Sequence, residues 1–233
     1  MQLFYHPELE TNALITFSDE ESRHIAVLRY IVGDVLEVIN GKGVLAQVEI
    51  VSITKRETIA KVQSIQQFIA PTVKFRLAIS PLKNNDRIEW LVEKICEMGV
   101  QEIAFIQCER TERTHLKAER LYRIIQSACK QAKQFWFPTI IFDIPFVNEV
   151  KQDFRQKLIA YCEENEQTIT TILKPDLDTI ILIGPEGDFT QEEVDRAKLE
   201  GFLPMSLGLS RLRTETAGLY ATAAFKFVNP QKV

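Results

Sequence analysis

Apolar positions along this chain follow two different periods, and the change falls near residue 70. Up to there the period is two. "VLEVI" (35–39) and "VLAQVEI" (44–50) flank "NGKG" (40–43), and Asn-Gly between alternating runs predicts a hairpin. "TIAKVQSI" (58–65) alternates in the same way. One helix interrupts the strands. Ser18 with Glu21 three residues later has the spacing of a capping box and leads into "SRHIAVLR". Several short strands and one helix predict a small β-barrel over residues 1–70, with Pro71 in "QFIAPTVK" marking a linker.

From about residue 74 the period lengthens. "FRLAIS" (75–80) reads as a strand. Apolar residues at 88, 91, 92, 95 and 98 then fall on one helical face. Asn85 or Asp86 is placed to cap that helix, and Gly99 to end it. "VQEIAFIQC" is the next strand, and 117–134 a helix with 121, 124, 125, 128 and 132 on one face. "TIIF", "KLIAYC", "TIILIG" and "LPMSLG" are further strands. They are separated by helical pieces near 147–154 and 190–200, and "TETAGLYATAAFKFV" is a closing helix. Strands alternating with helices imply an α/β domain over 74–233, with a mostly parallel sheet covered on both faces. Ligands of such sheets bind at the carboxyl ends of the strands.

Two loops lie at such ends. In "LIGPEGDFT" (182–190) a buried strand runs into two glycines around Pro185 and Glu186. Glycines there let a partner approach the main chain closely. The run has neither the Gly-Lys-Ser/Thr of a P-loop nor three-glycine dinucleotide spacing. In "MSLGLSRLRTETAG" (205–218) a second strand ends at Gly208, followed by Arg211, Arg213 and Thr-Glu-Thr. Thr214 or Thr216 suits a cap, and Glu215 suits the positive end of a helix. Arg213 opposes that dipole, which favours a role in holding an anionic or carbonyl-rich partner. The last helix is rich in small residues (Ala217, Gly218, Ala221, Ala223, Ala224). They suit either close packing on another backbone, such as a partner chain, or plain core packing.

Charge and cysteine content narrow the class. The formal net charge is −4, so overall basicity does not point to nucleic acid. Locally it does: Arg110 to Gln134 holds seven basic residues against two acidic ones, a net +5. Arg120, Arg123, Lys130 and Lys133 lie off the apolar face of the helix there. Phe135-Trp136-Phe137 beside it suits core packing better than base stacking. Residues 1–70 carry six basic against nine acidic residues, so RNA contact there would rest on individual side chains such as Arg23 and Arg29. Cys96, Cys108, Cys129 and Cys162 are widely spaced and the three histidines are scattered. That spacing argues against a metal site or disulfide framework and fits a reducing cytoplasm. No signal-peptide layout opens the chain and no apolar run approaches the roughly 18 residues of a membrane span, so a soluble protein is expected.

Read together, "GPEGDF…EEV…A…GF…SLG…RLRTETA" resembles the RsmE-type ribosomal RNA methyltransferases of the SPOUT superfamily. "HIAVLRYIVGD" and "NGKG" are similar to that family's PUA-like N-terminal barrel. "KNNDRIEWLVEKICEMGVQEI" and "ERT" (109–111) are similar to its later segments. Asp188 stands where the family commonly has glycine, and "CKQAKQFWFP" departs from its usual pattern. The resemblance implies a knotted C-terminal domain, a homodimer, and S-adenosylmethionine as cofactor, held by Tyr161, Cys162, Ile183, Gly184, Gly187, Ser206, Leu207, Gly208 and Leu212. It implies methylation of N3 of a uridine in 16S ribosomal RNA, free or in the small subunit. Arg213 and Glu215 are the catalytic candidates. Arg110, with the basic residues named above, is a candidate RNA contact. A methyltransferase for another RNA such as transfer RNA, or a non-catalytic RNA binder on the same scaffold, are the rival readings.

Overall fold

The computed structural model describes residues 2–54, 57–112, 116–161 and 167–230. They form two compact units. The first comprises residues 1–70 with 126–137, the second 71–125 with 138–233.

In the first unit, β1 (Leu3–Tyr5), β2 (Leu14–Thr16), β3 (Val35–Ile39), β4 (Val44–Ile53) and β5 (Thr58–Gln67) form one sheet in the order β1-β3-β4-β5-β2. Helix α1 (Asp19–Val27) seats Ile25 in the core with Phe4, Leu36, Val38, Val48 and Val62, all buried. The alternation read from the sequence is what puts these residues on one face. Ser18 caps α1 by accepting from the Glu21 N–H. The expected reciprocal half of the capping box is absent from the described hydrogen bonds: the Glu21 carboxylate is buried and bound instead by Lys130 and Gln126.

The hairpin turn has a further function. Gly41 and Gly43 have φ of +70° and +84°, the left-handed region that glycine enters without strain. Their bare backbones are covered by "FWF". A Cβ on Gly43 would lie 2.4 Å from the Trp136 ring, and one on Gly41 2.6 Å from Phe137. Gly43 N–H donates to the Phe135 carbonyl and Phe137 N–H to the Gly41 carbonyl. Phe135 stacks on Phe68 with ring centroids 3.9 Å apart, and Phe137 on Tyr5 at 5.5 Å. The three aromatics are half-buried, packed on the turn and on Phe68 and Tyr5, and differ from the expected core role in lying outside the buried cluster of this unit.

The second unit holds a six-stranded sheet in the order β11-β9-β10-β6-β7-β8, parallel throughout. Its strands are β6 (Phe75–Ile79), β7 (Glu102–Gln107), β8 (Thr139–Pro145), β9 (Gln156–Ala160), β10 (Thr179–Ile183) and β11 (Leu203–Met205). The last three strands stand out of chain order, an arrangement compatible with a SPOUT domain. Helices α2 (Asn85–Glu97), α3 (Ala118–Ala132, whose residues from 126 on belong to the first unit), α4 (Phe146–Glu149), α5 (Ile169–Ile172) and α6 (Gln191–Leu199) lie between the strands in sequence, and α7 (Thr214–Val228) follows the last. Asn84, rather than Asn85 or Asp86, caps α2 by accepting from the Asp86 N–H. Gly99 follows its end at φ +73°, as expected. Small residues of α7 pack under the sheet: a Cβ on Gly218 would meet Ile79, Leu77 and Leu91 at 3.0–3.4 Å. Plain core packing therefore accounts for Gly218, and for the buried Ala217 and Ala221.

Candidate functional site

Strands β6, β10, β9 and β11 are in parallel register and end side by side: Ile79 beside Ile183, Ile183 beside Ala160, Ala160 beside Met205. Both glycine loops therefore leave the sheet at the same edge, from strands that flank β9. Tyr161 N–H donates to the Met205 carbonyl. Ser206 is bonded through its N–H to the Gln167 carbonyl and through its carbonyl to the Ile169 N–H. These bonds tie the β11 loop to the chain that follows β9.

The β10 loop is anchored from within. Phe189 is buried against Phe146, ring centroids 5.6 Å apart, an insertion worth about 1.5–3 kcal/mol. A Cβ on Gly184 would come within 3.1 Å of the Phe189 ring, so Gly184 makes room for that anchor. A Cβ on Gly187 would meet Arg110 at 3.3 Å, and Arg110 Nη1 donates to the Gly187 carbonyl at 2.7 Å. Asp188 has φ +62°, the conformation that a glycine would take most easily. Its Oδ1 accepts from the Phe189 N–H at 2.8 Å, so the aspartate sustains the turn in the family's glycine position. Burial raises the Asp188 carboxyl above its ordinary value, against the lowering effects of that hydrogen bond and of Arg110 and Arg211. Beyond it, Thr190 and Glu193 form a complete capping box on α6, and the second oxygen of Glu193 accepts from the Glu109 N–H. The "ERT" segment is fastened to the β10 loop in this way, and Ser80 at the end of β6 bonds Thr111.

The β11 loop is open. Gly208 has φ +120° with no atom within 4 Å of where a Cβ would stand, and Leu209 beside it is fully exposed. Leu207 and Leu212 are half-buried. Arg213 is the N-cap residue of α7 and makes no side-chain cap bond, so neither Thr214 nor Thr216 caps the helix as expected. Its side chain is exposed.

Sequence reasoning missed the residue that holds the two loops. Arg87, in the first turn of α2, donates from Nε to Glu215 Oε1 at 2.9 Å and from Nη2 to Glu215 Oε2 at 2.5 Å. Its Nη1 reaches Glu186 Oε1 at 3.0 Å. A signal was present: a cation in a first turn opposes the helix dipole, the same anomaly that singles out Arg213. Burial acts to raise the Glu215 carboxyl, but its hydrogen bonds with Arg87 and the charges of Arg87 and Arg213 outweigh that and lower it. Glu215 is thus a committed, ionised partner and a poor proton acceptor. Asp86, Arg87, Trp90, Glu215 and Thr216 line a cleft of about 270 Å³.

The β11 loop, with its open backbone at Gly208 and apolar edges at Leu207, Leu209 and Leu212, suits a ligand with a flat aromatic ring and a polar tail. S-adenosylmethionine is such a ligand. Cys162 lies outside the described residues. Among the described cysteines, Cys96, Cys108 and Cys129 are buried, and burial with the charge of Glu193 pushes the Cys108 thiol far up, so it is no nucleophile.

The expected RNA contacts are dispersed. Arg23, Arg29, Arg123 and Lys133 are exposed, and Arg29 and Lys133 take left-handed backbone angles of +61° and +55°. Arg120 is paired with Glu89 at 3.1 Å and Arg110 is engaged at Gly187. Lys130 differs from the expectation of a free surface cation: its ammonium lies 2.5 Å from the buried Glu21 and its side chain is only 13% exposed. Among the described residues no cluster suits a metal ion, and no helix is long and apolar enough to cross a membrane.

Comparison with known proteins agrees with this architecture. A family model described as an RNA methyltransferase domain matches residues 70–226, and one described as an RNA methyltransferase PUA domain matches residues 17–63. The ribosomal RNA small subunit methyltransferase E of Bacillus subtilis is 27% identical over 94% of this chain and 92% of its own. The protein of that name in Mesomycoplasma hyopneumoniae is 30% identical over 71% and 74%. Among solved structures, a probable rRNA-methyltransferase from Porphyromonas gingivalis superposes with a TM-score of 0.90 at 38% identity, covering 98% of both chains. The ribosomal RNA small subunit methyltransferase E from Neisseria gonorrhoeae, bound to S-adenosyl methionine, gives 0.88 at 27% identity over 98% of both.

Proposed function

This chain belongs to the RNA methyltransferase family, and on that premise we propose that it methylates N3 of a uridine in 16S ribosomal RNA, with S-adenosylmethionine as methyl donor. The observation that carries the reading is that the two glycine loops leave the sheet on either side of the end of β9, with an exposed arginine at the start of the next helix. A neighbour of the same architecture across its whole length is bound to S-adenosyl methionine.

Ile183, Gly184 and Gly187 on one loop and Ser206, Leu207, Gly208 and Leu212 on the other would hold the cofactor, with Tyr161 at the end of the strand between them. When bound, the cofactor supplies an electrophilic methyl on a sulfonium. The residues of this chain supply position and field. Uracil N3 is a weakly acidic imide; its proton passes to solvent water, and the negative charge left on N3 spreads onto O2 and O4. The Arg213 guanidinium cannot take that proton, because it stays charged, but it can donate to those oxygens as charge develops. Glu215, held ionised by Arg87, keeps the start of α7 in place rather than acting as base.

The first unit is proposed as the RNA-recognition part, through Arg23, Arg29 and Lys133; Arg110, Arg120 and Arg123 are proposed separately as RNA contacts of the second unit. A homodimer is supported by aromatics left exposed on α2 and α7: Trp90 at 41%, Tyr220 at 43% and Phe227 at 88%. Function in the cytoplasm follows from a ribosomal substrate. Calorimetry with S-adenosylmethionine and mass-spectrometric mapping of methylated uridines in a deletion strain test the assignment. Absence of cofactor heat would leave a plain RNA binder, and loss of a transfer-RNA methyl group would move the substrate.

A further inference from the structure

We propose that Arg87 is a positioning residue that sets the β10 loop and the start of α7 against one another, and so fixes where Arg213 stands relative to the bound cofactor. The inference rests on the functional reading above for its consequence, but its geometry does not depend on it.

Three segments far apart in sequence meet at this one guanidinium. Arg87 comes from α2, Glu186 lies between Gly184 and Gly187, and Glu215 lies two residues after Arg213. The fork donates two parallel bonds to Glu215 and a third to Glu186, and a planar, rigid group transmits the position of one carboxylate to the other. The arrangement is not accounted for by stability alone. The Glu186 side chain is 42% exposed, so its pair with Arg87 is screened and contributes little to folding. A cation in the first turn of α2 is moreover set against the helix dipole. What the fork does accomplish is to couple the β10 loop to the first turn of α7 through one rigid group. An error of about 1 Å at such a place is enough to cost on the order of 10²-fold in rate.

The test uses Arg87→Ala, Arg87→Lys and Glu186→Gln in the full-length protein. Hydrogen exchange without cofactor should show both the 184–188 loop and the first turn of α7 exchanging at least about tenfold faster in Arg87→Ala. In Glu186→Gln, which keeps the Glu215 pair, only the loop should loosen. Single-turnover methylation should fall by roughly 10²-fold in Arg87→Ala. Arg87→Lys should fail to rescue it, because an ammonium is a point charge that cannot present the fork. Unchanged exchange in Arg87→Ala, exchange raised in one segment alone, or full rescue by lysine would each overturn the proposal. Should Arg87→Ala not fold, the selective loosening in Glu186→Gln and the failure of lysine decide the matter. A wild-type protein that neither binds S-adenosylmethionine nor methylates RNA would overturn the functional reading instead, while the exchange data would still decide the role of Arg87.

Discussion

Lys130 reaches the buried carboxylate of Glu21 at 2.5 Å across 109 positions of sequence, within one compact unit. A lysine that reads from the sequence as a surface phosphate contact is therefore a structural counter-charge. Removing it strands a carboxylate that is 1% exposed, with Gln126 as its remaining described side-chain donor. Lys130→Ala should lower folding stability by about 3–5 kcal/mol, read as a fall in the urea midpoint. An unchanged midpoint with weakened RNA binding would return Lys130 to the surface role.

Gly43→Ala should be among the most damaging single-methyl changes in the first unit. The residue has φ +84° and a Cβ would lie 2.4 Å from the Trp136 ring. Left-handed strain and overpacking together should cost about 2–5 kcal/mol in thermal unfolding. Gly33→Ala, also at positive φ but with open space around it, should cost less.

Arg213→Ala should lower single-turnover methyl transfer by about 10²–10³-fold while calorimetric affinity for S-adenosylmethionine stays near wild type. The guanidinium is exposed at the start of α7 and, on the proposed reading, acts on charge that exists only as the reaction proceeds. Retained activity would remove its proposed role.

Lys226 supplies a pH signature. Burial lowers its pKa from 10.5 to about 8 in the folded chain. A lowered folded pKa means that its contribution to stability is fully present above 10.5 and is lost as pH falls through 8. Lys226→Met should consequently be more stable than wild type at pH 7, and the advantage should shrink as pH rises from about 8 towards 10.5. Chemical denaturation across that range gives the difference curve, and a flat curve would show that the ammonium is solvated.

What the sequence made legible was local. Period-two and helical spacing placed the strands and the long helices, because each depends on residues a few positions apart. "GPEGDF" and "RLRTETA" marked the two loops for the same reason. Long-range pairing of charge was not legible. Glu21 reads as the second half of a capping box but turns inward to Lys130. Arg87 shows locally only as a cation in a first turn, and its partner Glu215 lies 128 positions away. The glycines of the β10 loop read from the sequence as places where a bound partner comes close to the main chain. In the chain as it stands, however, the space at Gly184 is taken by Phe189 and that at Gly187 by Arg110, while the open glycine is Gly208.

The aromatic clip on the Asn-Gly hairpin has a consequence for how this protein can be made. A ribosome finishes the first seventy residues long before Phe135, Trp136 and Phe137 emerge, so the sheet that opens the chain waits, with its glycine turn uncovered, for a seal encoded much further on. Excised at residue 70, that fragment would lack its own lid and should be sticky and short-lived. Supplied in trans, a peptide spanning 126–137 would be the natural remedy.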